Sequence, residues 1–404
     1  MRPLDLLFCT HEPLLPLSGG CTVGNLRLVQ YFAQRGHRVR VLSPLNLPLP
    51  QARAALPGVE LRPFQPWGMG RSISLRFPKY LGYAALYPLG LAREIRRRRP
   101  DAILVRNALL ALPASQAARR WSIPALLSYT DLLSELLAGN ARFPRPLIAA
   151  LRAYETRMPR RYDAVSVISE PLAQALRQAG VDPKRLQVGL DGADPQAFRP
   201  GAVSPAERAE RRRSLGLSQG QRLVLFHGTV EAHHGEEQLP GLLALAARAA
   251  PQLRFLLLLG GPGAAVLARA LRGAPNVTLL PFQPLEEVGR WAACADAGMV
   301  PYPPSAGLDL VFTLKLLEYF AAGLPVVSYR LAAAQAAFGP SPAHVIAADE
   351  AGFVAALDRV SRRKGDPRLR ARVLKDFTWT AVAQRLEAQL LAIASDGTPS
   401  KNRP

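Results

Sequence analysis

The sequence is poor in cysteine. Its three cysteines, Cys9, Cys21 and Cys294, lie far apart in a chain of 404 residues and form no C-x-x-C pair. None belongs to the cysteine and histidine spacing of a structural zinc site. Because small secreted domains depend on closely spaced cysteine pairs, this usage argues against a disulfide framework. The chain is instead long enough for two separate cores, with 49% hydrophobic residues.

Long hydrophobic runs are also missing. A transmembrane helix takes about 20 apolar residues, and the longest nearly uncharged stretch, residues 80–92, is interrupted by Gly82, Pro88 and Gly90. The first residues, MRPLDLLFCTHEP, carry Asp5 inside the apolar run and lack a small-residue cleavage site. They therefore predict a first strand and not a signal peptide. We expect a cytoplasmic chain.

Acidic residues are outnumbered by basic ones. Lys and Arg total 51 against 30 Asp and Glu, which gives a net charge of +21. This excess indicates an anionic partner, namely nucleic acid, lipid headgroups or an anionic substrate, although a compositional bias towards arginine accounts for part of it. No RNP, helix-turn-helix or zinc-finger pattern accompanies the charge, so nucleic acid is not expected.

Arginine is concentrated in two places. Arg93 and residues 96–99 precede Pro100 at a predicted helix end, where cations suit the helix dipole. The alternative for this cluster is a patch that binds an anionic membrane surface, with apolar anchors and a basic rim. Its anchors would be the preceding aromatic residues, Phe77, Tyr80, Tyr83 and Tyr87. Arg208 and residues 211–213 lie in a polar stretch that predicts a solvated helix.

Short apolar runs alternate with helical patterns along the whole chain. The predicted strands are residues 4–9, 38–42, 102–105, 125–128 and 164–168, followed by 223–226, 254–259, 277–280, 297–300, 325–328 and 345–347. Such alternation predicts parallel sheets with helices on both faces. The fold class is α/β, with two doubly wound, Rossmann-like domains.

A polar segment rich in Pro, Gly and Arg, residues 196–221, predicts the connection between these domains. The first domain is placed at residues 1–197, on the acceptor side, and the second at residues 198–377. Apolar residues at helical spacing predict a helix over residues 378–395, which we expect to pack back on the first domain. Residues 396–404 are expected to be disordered.

Glycine-rich turns follow three predicted strands, at the edge where open parallel sheets bind ligands. Gly19 and Gly20, in PLSGGCTVGN, precede a helix and could let the backbone approach a phosphate. Gly228 and His234 lie in FHGTVEAHHGEEQL, where a histidine could donate an N–H to a phosphate. The third turn is LLLLGGPGAA. Tight turns without a ligand are the alternative for the first and third segments, and a surface histidine pair is the alternative for the second.

The most informative segment is VFTLKLLEYFAAGLPVV, residues 311–327. A helix that begins near Thr313 and ends at Gly323 would carry Lys315 and Glu318 on one face, since they are three positions apart. Backbone N–H groups of residues 314–316 would be available to a diphosphate at the positive end of the helix dipole. A nucleotide sugar fits both features. The alternative is an amphipathic helix with a surface ion pair.

Taken in order, these segments resemble the motifs of the retaining GT-B glycosyltransferases of family four, the group 1 type. LDGADPQAFRP matches the segment that ends the first domain of that family, and GTVEAHHG matches the segment that opens the second. LLGGPG, NVTLLPFQPLEEV, WAACADAGMVPYPPS and LLEYFAAGLPVV follow in the order of the family. The resemblance covers nearly the whole chain and implies the GT-B fold, in which two Rossmann-like domains face each other across a cleft.

The resemblance also implies roles for residues at matching positions. Glu318 would hold the ribose hydroxyls, Lys315 would add a cation for the diphosphate, and Phe282 would lie near the base. The loop of Gly307, Leu308 and Asp309 would approach the transferred sugar. The residues expected to be catalytic are Lys315, His234 and Asp131. The expected donor site comprises Gly19, Gly20, Gly228, Thr229, His234, Phe282, Asp309, Leu314, Lys315, Leu316 and Glu318.

Three substitutions depart from the family pattern. Leu310 stands where the first carboxylate of an E-x7-E pair is usual, with Asp309 beside it. Thr229 and His234 stand where an Arg and a Lys normally neutralise the leaving diphosphate. Thr130 and Asp131 replace the usual first-domain histidine segment. Such substitutions predict either a changed specificity or an inactive site.

We therefore expect a retaining, metal-independent glycosyltransferase without a cofactor beyond its nucleotide diphosphate sugar substrate. The acceptor would be an envelope glycan or a lipid-linked molecule, since basic and aromatic residues are frequent in the first half, and the enzyme would work in the cytoplasm or at the inner face of the membrane. Two alternatives stay open. One is a GT-B sugar-nucleotide epimerase, and the other is a non-catalytic basic nucleic-acid- or membrane-binding protein on a degenerate GT-B scaffold.

Overall fold

The structure is a computed structural model that describes residues 2–15, 20–64, 77–130, 132–138, 143–189, 191–230, 236–261 and 263–395. Gly19, Asp131, His234 and the predicted tail, residues 396–404, lie outside the described residues. The chain divides into two compact units. Unit 1 is Met1–Leu190 with the segment that begins at Trp379, and unit 2 is Asp191–Thr378.

Unit 1 contains a seven-stranded parallel sheet. Its strands are β1 (Asp5–Cys9), β2 (Arg38–Ser43), β3 (Val59–Pro63), β4 (Ala102–Arg106), β5 (Ala125–Tyr129), β6 (Ala164–Val167) and β7 (Leu186–Val188), in the order β3-β2-β1-β4-β5-β6-β7. Its first helices are α1 (Gly20–Gln34), α2 (Leu49–Ala55), α3 (Phe77–Arg97), α4 (Ala111–Arg120), α5 (Leu133–Leu137), α6 (Arg145–Arg157) and α7 (Glu170–Gln178). Strands β1, β4 and β5 are buried along their whole length, as expected when helices cover both faces of a parallel sheet.

Unit 2 contains a six-stranded parallel sheet. Its strands are β8 (Arg222–Thr229), β9 (Leu253–Gly260), β10 (Val277–Pro281), β11 (Ala297–Val300), β12 (Val326–Ser328) and β13 (His344–Ile346), in the order β10-β9-β8-β11-β12-β13. Its helices are α8 (Pro205–Ser214), α9 (Leu239–Ala249), α10 (Ala264–Ala270), α11 (Leu285–Cys294), α12 (Ala306–Leu310), α13 (Leu314–Ala321), α14 (Ala332–Phe338), α15 (Glu350–Val360) and α16 (Pro367–Asp376). Helix α17 (Trp379–Ser395) belongs to unit 1.

Every strand predicted from the sequence is present, and the predicted α/β class with two parallel sheets is confirmed. Two strands were missed, β3 and β7. Both are edge strands of unit 1, and both are only partly buried. Because the missed strands are short and lack a continuous apolar run, their sequences do not stand out from loops.

The two segments through which the chain enters and leaves unit 2 lie next to each other. The Ala193 N–H donates to the Phe377 carbonyl at 2.8 Å. Phe198 is fully buried and stacks on His227, with ring centroids 6.2 Å apart. Because this packing draws residues 191–198 into unit 2, the chain passes into that unit at Asp191, whereas composition had placed the boundary after residue 197.

Helix α17 packs on α1 and on strands β4, β5 and β6. The buried carboxylate of Glu387 fixes it there. Glu387 accepts hydrogen bonds from Tyr31 Oη at 2.8 Å and from Arg35 Nε at 3.3 Å, and it lies 2.9 Å from His37 Nε2. Helix α17 therefore completes the core of unit 1.

Helix α8 carries the second arginine cluster and has no buried residue, as expected for the solvated helix predicted there. The Arg211 guanidinium donates to Glu287 and lies 4.9 Å from the centre of the Trp291 ring. Arg212 pairs with Asp296 at 2.8 Å. Acidic residues in and beside α11, which are distant in sequence and were not predicted as partners, neutralise these two arginines and hold α8 on unit 2.

Helix α3 carries the other arginine cluster at its end. Tyr83 and Tyr87 are fully buried, and Tyr87 Oη donates to the Leu42 carbonyl at 2.8 Å. These two tyrosines therefore belong to the core of unit 1 and are not available as membrane anchors. Leu89, by contrast, is 66% exposed. Among the helices that the structure describes, none has the length and apolarity needed to cross a membrane.

Candidate functional site

The candidate site lies where the strand order of unit 2 reverses, at the carboxyl ends of β8 and β11. Open α/β sheets bind ligands at such a switch point, because the loops diverge there and leave a crevice. His227, Gly228 and Thr229 end β8, and Tyr302 follows β11. Helix α13 adds Lys315, which contacts the Tyr302 hydroxyl.

Helix α13 starts at Leu314, close to the predicted position, and the Thr313 side chain makes no capping hydrogen bond within the described chain. The N–H groups of a first helical turn have no partner inside the helix. The Leu316 N–H, however, donates to the Thr313 carbonyl at 3.1 Å. Of the three amides predicted to meet a diphosphate, Leu316 is thus already engaged, which leaves those of Leu314 and Lys315.

Glu318 is buried, with 8% of its surface exposed. Its Oε2 lies 3.3 Å from His227 Nε2. Burial raises the pKa of Glu318 to about 7, although the charge of Lys315 lowers it and that of Asp191 raises it further. The carboxyl group is therefore poised between its two protonation states near neutral pH. Ligand hydroxyls that donate to it would favour the charged form.

His227 lies between two aromatic rings. It stacks on Phe198 and meets Tyr319 edge-on, with a centroid distance of 5.3 Å to the latter. Burial, together with the nearby charge of Lys315, lowers the pKa of His227 to about 3. The imidazole is therefore neutral at physiological pH. The sequence had not singled out His227, although it directly precedes Gly228 in the motif matched to the family.

The ammonium group of Lys315 is fixed over the end of β8. It donates to the Tyr302 hydroxyl, and its Nζ lies 5.1 Å and 5.6 Å from the ring centres of Tyr302 and Phe226. A Cβ atom on Gly228 would come within 2.7 Å of Lys315 Nζ, and Gly228 has a φ of +129°. Glycine is therefore required at this position both for its backbone conformation and for the lysine.

Phe282 and Thr229 extend the same edge of the sheet. Phe282 follows β10 and is 47% exposed. Its ring lies against the backbone of Gly260, where an added Cβ would be 2.7 Å from Phe282 Cδ2. A half-exposed aromatic ring at a sheet edge can stack on a planar base. Thr229 is half-buried and is the last residue of β8.

Asp309, predicted to approach the transferred sugar, is held by protein groups. Its carboxylate accepts hydrogen bonds from Arg330 and from the Ala332 N–H, the latter at 3.3 Å. Gly307 and Leu308, from the same predicted loop, are buried in α12. A sugar hydroxyl would have to compete with Arg330 for the Asp309 carboxylate.

The structure thus brings together Gly228, Lys315 and Glu318, with Thr229 adjoining them. Gly20 is exposed and opens helix α1 of unit 1, whereas Gly19, Asp131 and His234 are outside the described ranges. Within the part of the chain that the structure describes, no group of three or more His, Cys, Asp and Glu side chains could hold a metal ion.

Unit 1 has its own switch point, between β1 and β4, and the sequence had not predicted the polar cluster found there. Arg106, at the end of β4, is 1% exposed and donates to Asn25 and Ser128. The next residue, Asn107, has a φ of +66° and accepts a hydrogen bond from the Thr130 hydroxyl. A strained backbone and buried polar groups at a strand end are typical of ligand sites.

Two family models match the chain. The one described as a glycosyl transferase 4-like domain matches residues 19–189, and the one described as glycosyl transferases group 1 matches residues 213–363. Two curated relatives carry the name D-inositol 3-phosphate glycosyltransferase. The protein from Rhodococcus erythropolis is 28% identical over 77% of this chain and 71% of its own length. The protein from Thermomonospora curvata is 26% identical over 91% of this chain and 89% of its own length.

Solved structures show the same fold. A sucrose-phosphate synthase from Thermosynechococcus elongatus superposes with a TM-score of 0.76 at 18% identity, covering 97% of this chain and all of that one. The Anabaena protein HepE, in complex with UDP and glucose, superposes with a TM-score of 0.69 at 15% identity, covering 96% of this chain and all of that one. At these identities the likeness concerns the fold.

Proposed function

Because the chain is a group 1 glycosyltransferase of the GT-B fold, we propose that it transfers a sugar from a nucleoside diphosphate sugar to a hydroxyl acceptor with retention of configuration. One observation carries the proposal. Helix α13 brings a buried carboxylate, Glu318, and a fixed cation, Lys315, to the switch point of unit 2. A nucleoside diphosphate offers ribose hydroxyls to the carboxylate and negative charge to the cation.

Glu318 is assigned to the ribose. A buried carboxylate has several acceptor sites, and two adjacent hydroxyls can satisfy them. Since burial penalises the charged carboxylate, hydroxyl donors from a ligand would recover part of the solvation that it loses in the fold. Phe282, half-exposed at the same sheet edge, is assigned to the base.

Lys315 is assigned to the diphosphate, together with the N–H groups of Leu314 and Lys315. Breaking the bond between the sugar and the diphosphate develops negative charge on the departing phosphate, so a preorganised cation lowers the barrier. Thr229 stands where relatives in the family carry an arginine, and Lys315 lies above the adjacent Gly228. Lys315 would thus supply charge that this position otherwise lacks. His234 and Asp131 stay predicted catalytic residues.

In the proposed reaction the acceptor hydroxyl attacks the anomeric carbon on the face from which the phosphate departs. The new glycosidic bond forms as the sugar–phosphate bond breaks. The acceptor proton passes to the phosphate oxygen that has just left, so no side-chain base is needed. Because positive charge develops on the sugar and negative charge on the phosphate, the main requirement is the cation and the amides of α13. The proposal includes no metal ion and no cofactor.

The acceptor is proposed to be an envelope glycan or a lipid-linked molecule. The curated relatives, named D-inositol 3-phosphate glycosyltransferases, support a small phosphorylated acceptor as the second candidate. A net charge of +21 suits a polyprenyl-phosphate-linked sugar and a small phosphorylated acceptor equally, since both carry negative charge in phosphate groups. Product analysis by mass with a polyprenyl-phosphate sugar and with inositol 3-phosphate separates them.

Association with the inner face of the membrane is part of the proposal. The end of α3 combines exposed Leu89 with the exposed arginines Arg93, Arg96 and Arg97. Flotation with phosphatidylglycerol vesicles should weaken when these three arginines become glutamine. Unchanged flotation would exclude these arginines as a membrane-binding surface. A charge-matched control replaces three exposed arginines of unit 2, Arg213, Arg269 and Arg363.

The test of the function is thermal stabilisation by UDP, GDP, ADP and TDP and their sugars, because a ligand that binds only the folded state raises stability. Glu318→Ala should abolish the shift of the best ligand, whereas Glu350→Ala, an exposed glutamate of the same unit, should keep it. A shift that survives Glu318→Ala would contradict the assignment.

Incubation with the stabilising donor then distinguishes the candidate functions. A glycosylated acceptor supports the transferase. A free epimerised nucleotide sugar formed without acceptor would favour the epimerase. Nucleic-acid or vesicle binding without any response to nucleotide sugars would favour the degenerate scaffold.

A further inference from the structure

His227 contacts the carboxylate that is assigned to the ribose, and nothing in that assignment uses it. Its Nε2 lies 3.3 Å from Glu318 Oε2. Both residues are more than nine-tenths buried, at 7% and 8% exposure. The rings of Phe198 and Tyr319 fix the plane of the imidazole. Within the described residues Nε2 makes no hydrogen bond, so the histidine is a rigid group whose unbonded ring nitrogen lies beside one oxygen of a flexible side chain.

We propose that His227 is a positioning residue that orients the Glu318 carboxylate for the two ribose hydroxyls of the donor. The inference rests on the proposed function, since it concerns the same site. Glutamate has three rotatable side-chain torsions, and a buried carboxylate that turned away from the ligand would lose its selective contact with ribose. A fixed contact to Oε2 leaves Oε1 and the remaining lone pairs of Oε2 for hydroxyl donors.

A neutral ring suits this role better than a cation. The groups that face the pair are Lys315 on α13, Asp191 on the segment entering unit 2, and the Tyr319 ring. Burial and Lys315 keep the pKa of His227 low, so the imidazole adds no charge. A cation here would form an ion pair with Glu318 and would compete with ribose for it.

The contact also survives a change in the protonation of Glu318. At 3.3 Å a small rotation of the carboxylate is enough to form a hydrogen bond, and with the carboxylate charged the Nε2–H tautomer of His227 then donates to Oε2. With the carboxyl protonated, the Nδ1–H tautomer leaves a lone pair on Nε2 that accepts the proton of the acid. Since burial raises the pKa of Glu318 to about 7, both forms occur near neutral pH. His227 therefore holds the side chain in either state.

The test compares ribose with deoxyribose, because only the ribose 2′-hydroxyl is lost between the two. Calorimetry measures the binding of UDP, GDP and ADP and of dUDP, dGDP and dADP, and the pair that contains the best ligand is used. We expect the unaltered protein to prefer the ribonucleotide by about tenfold, the value of a hydrogen bond to a charged group. His227→Phe retains the ring stacking but loses the nitrogen, and it should lose most of this preference with little change for the deoxynucleotide. His227→Gln, which keeps an N–H donor, should restore part of it.

The control is His344→Phe. His344 is a buried histidine of the same unit, and its Nε2 lies 2.9 Å from Ser328 Oγ, away from Glu318. This variant should keep the full ribose preference. The double variant His227→Phe, Glu318→Ala should show the preference of Glu318→Ala alone, because the histidine acts only through the glutamate.

Each other result overturns the inference. If His227→Phe weakens both nucleotides equally, its role is structural. If Glu318→Ala abolishes the ribose preference and His227→Phe and His227→Gln leave it intact, the assignment of Glu318 stands and that of His227 fails. If the unaltered protein binds no nucleotide at all, the proposed function fails with it. Circular dichroism of each variant establishes that it is folded. If His227→Phe does not fold, the test uses His227→Gln, whose preference for the ribonucleotide should be smaller than that of the unaltered protein.

Discussion

Lys315 Nζ and the backbone of Gly228 are so close that the lysine occupies the place where any side chain on Gly228 would begin. A Cβ built on Gly228 lies 2.7 Å from both Cε and Nζ of Lys315. The glycine lies one residue before the end of β8 and the lysine is the second residue of α13, so two segments whose residues are 87 positions apart in the chain meet at this point. The cation is held at the sheet edge where the diphosphate is proposed to bind.

Gly228→Ala should therefore displace Lys315 as well as strain the backbone. We expect about 1 kcal/mol of destabilisation or more from the positive φ and at least tenfold weaker binding of the nucleoside diphosphate. Calorimetry and thermal melting measure the two effects separately. Gly216→Ala is the matched control, since Gly216 has a φ of +70° and no atom within 4 Å of an added Cβ. Equal binding losses in both variants would contradict the role of the lysine.

Lys315→Met should remove the cation while keeping most of the side-chain volume. Loss of a preorganised group that stabilises the leaving phosphate typically lowers kcat by about 10²–10³. The variant should also lose much of its preference for the diphosphate over the corresponding nucleoside, and the backbone N–H groups at positions 314 and 315 should account for the preference that is left. Steady-state kinetics and calorimetry provide the comparison. Lys364→Met, at an exposed lysine of unit 2, should change neither quantity.

Glu318 should make the ligand-free protein less stable as pH rises. Its pKa is raised from 4.5 to about 7 in the fold, first of all by burial. Between these values the folded state holds a proton that the unfolded state has lost, so the free energy of unfolding falls as pH increases from about 4.5 to 7 and then levels off. Because glutamine does not ionise, Glu318→Gln removes this fall in the free energy of unfolding. Relative to the unaltered protein, the variant should gain on the order of 3 kcal/mol between pH 4.5 and 8.

Urea unfolding at several pH values tests this prediction, with the m-value as the check that both proteins unfold to the same extent. A constant difference between the two proteins across the range would show that Glu318 titrates at its ordinary pKa. Binding of the nucleotide should follow the opposite trend and strengthen as pH rises towards 7, because the ribose hydroxyls donate to the charged carboxylate.

Glu387→Ala should loosen helix α17 from unit 1. The change removes the acceptor of the half-buried Tyr31 Oη and of the buried His37 Nε2, and we expect the free energy of unfolding to fall by about 2–4 kcal/mol. Burial raises the pKa of Glu387, but hydrogen bonds from His37, Tyr31 and Arg35 outweigh it and hold the pKa below its usual value. The stabilisation is therefore present above the ordinary pKa of glutamate and is lost as pH falls through the folded value.

Hydrogen exchange locates the effect of Glu387→Ala. The amides of α17 should exchange faster in the variant, while those of β9 in unit 2 should not change. The matched control is Glu170→Ala, at a glutamate whose side chain is 53% exposed and paired with Arg177. A surface pair of this kind contributes about 0–1 kcal/mol. Similar losses of unfolding free energy in both variants would contradict the role of Glu387 in holding α17 on unit 1.

The sequence by itself determined the fold class and the position of helix α13. Each central strand is a run of buried apolar residues such as LLFC or AILV. The continuous apolar character and the short length of such runs are enough to recognise them in the sequence. Lys315 and Glu318 could be placed on one helix because their spacing matches the helical repeat. Local patterns failed where burial was partial, as in β3 and β7.

Only the tertiary structure decided what these side chains contact. Glu318 and His227 are 91 positions apart, and neither spacing nor composition relates them; the parallel pairing of β8 with β11 and the packing of α13 bring them to 3.3 Å. The same holds for Lys315 over Gly228 and for Arg211 on Trp291. The physical reason is that a charged side chain can be satisfied by many partners of suitable chemistry. Which partner it meets depends on how the strands are ordered, and local sequence carries no record of that order.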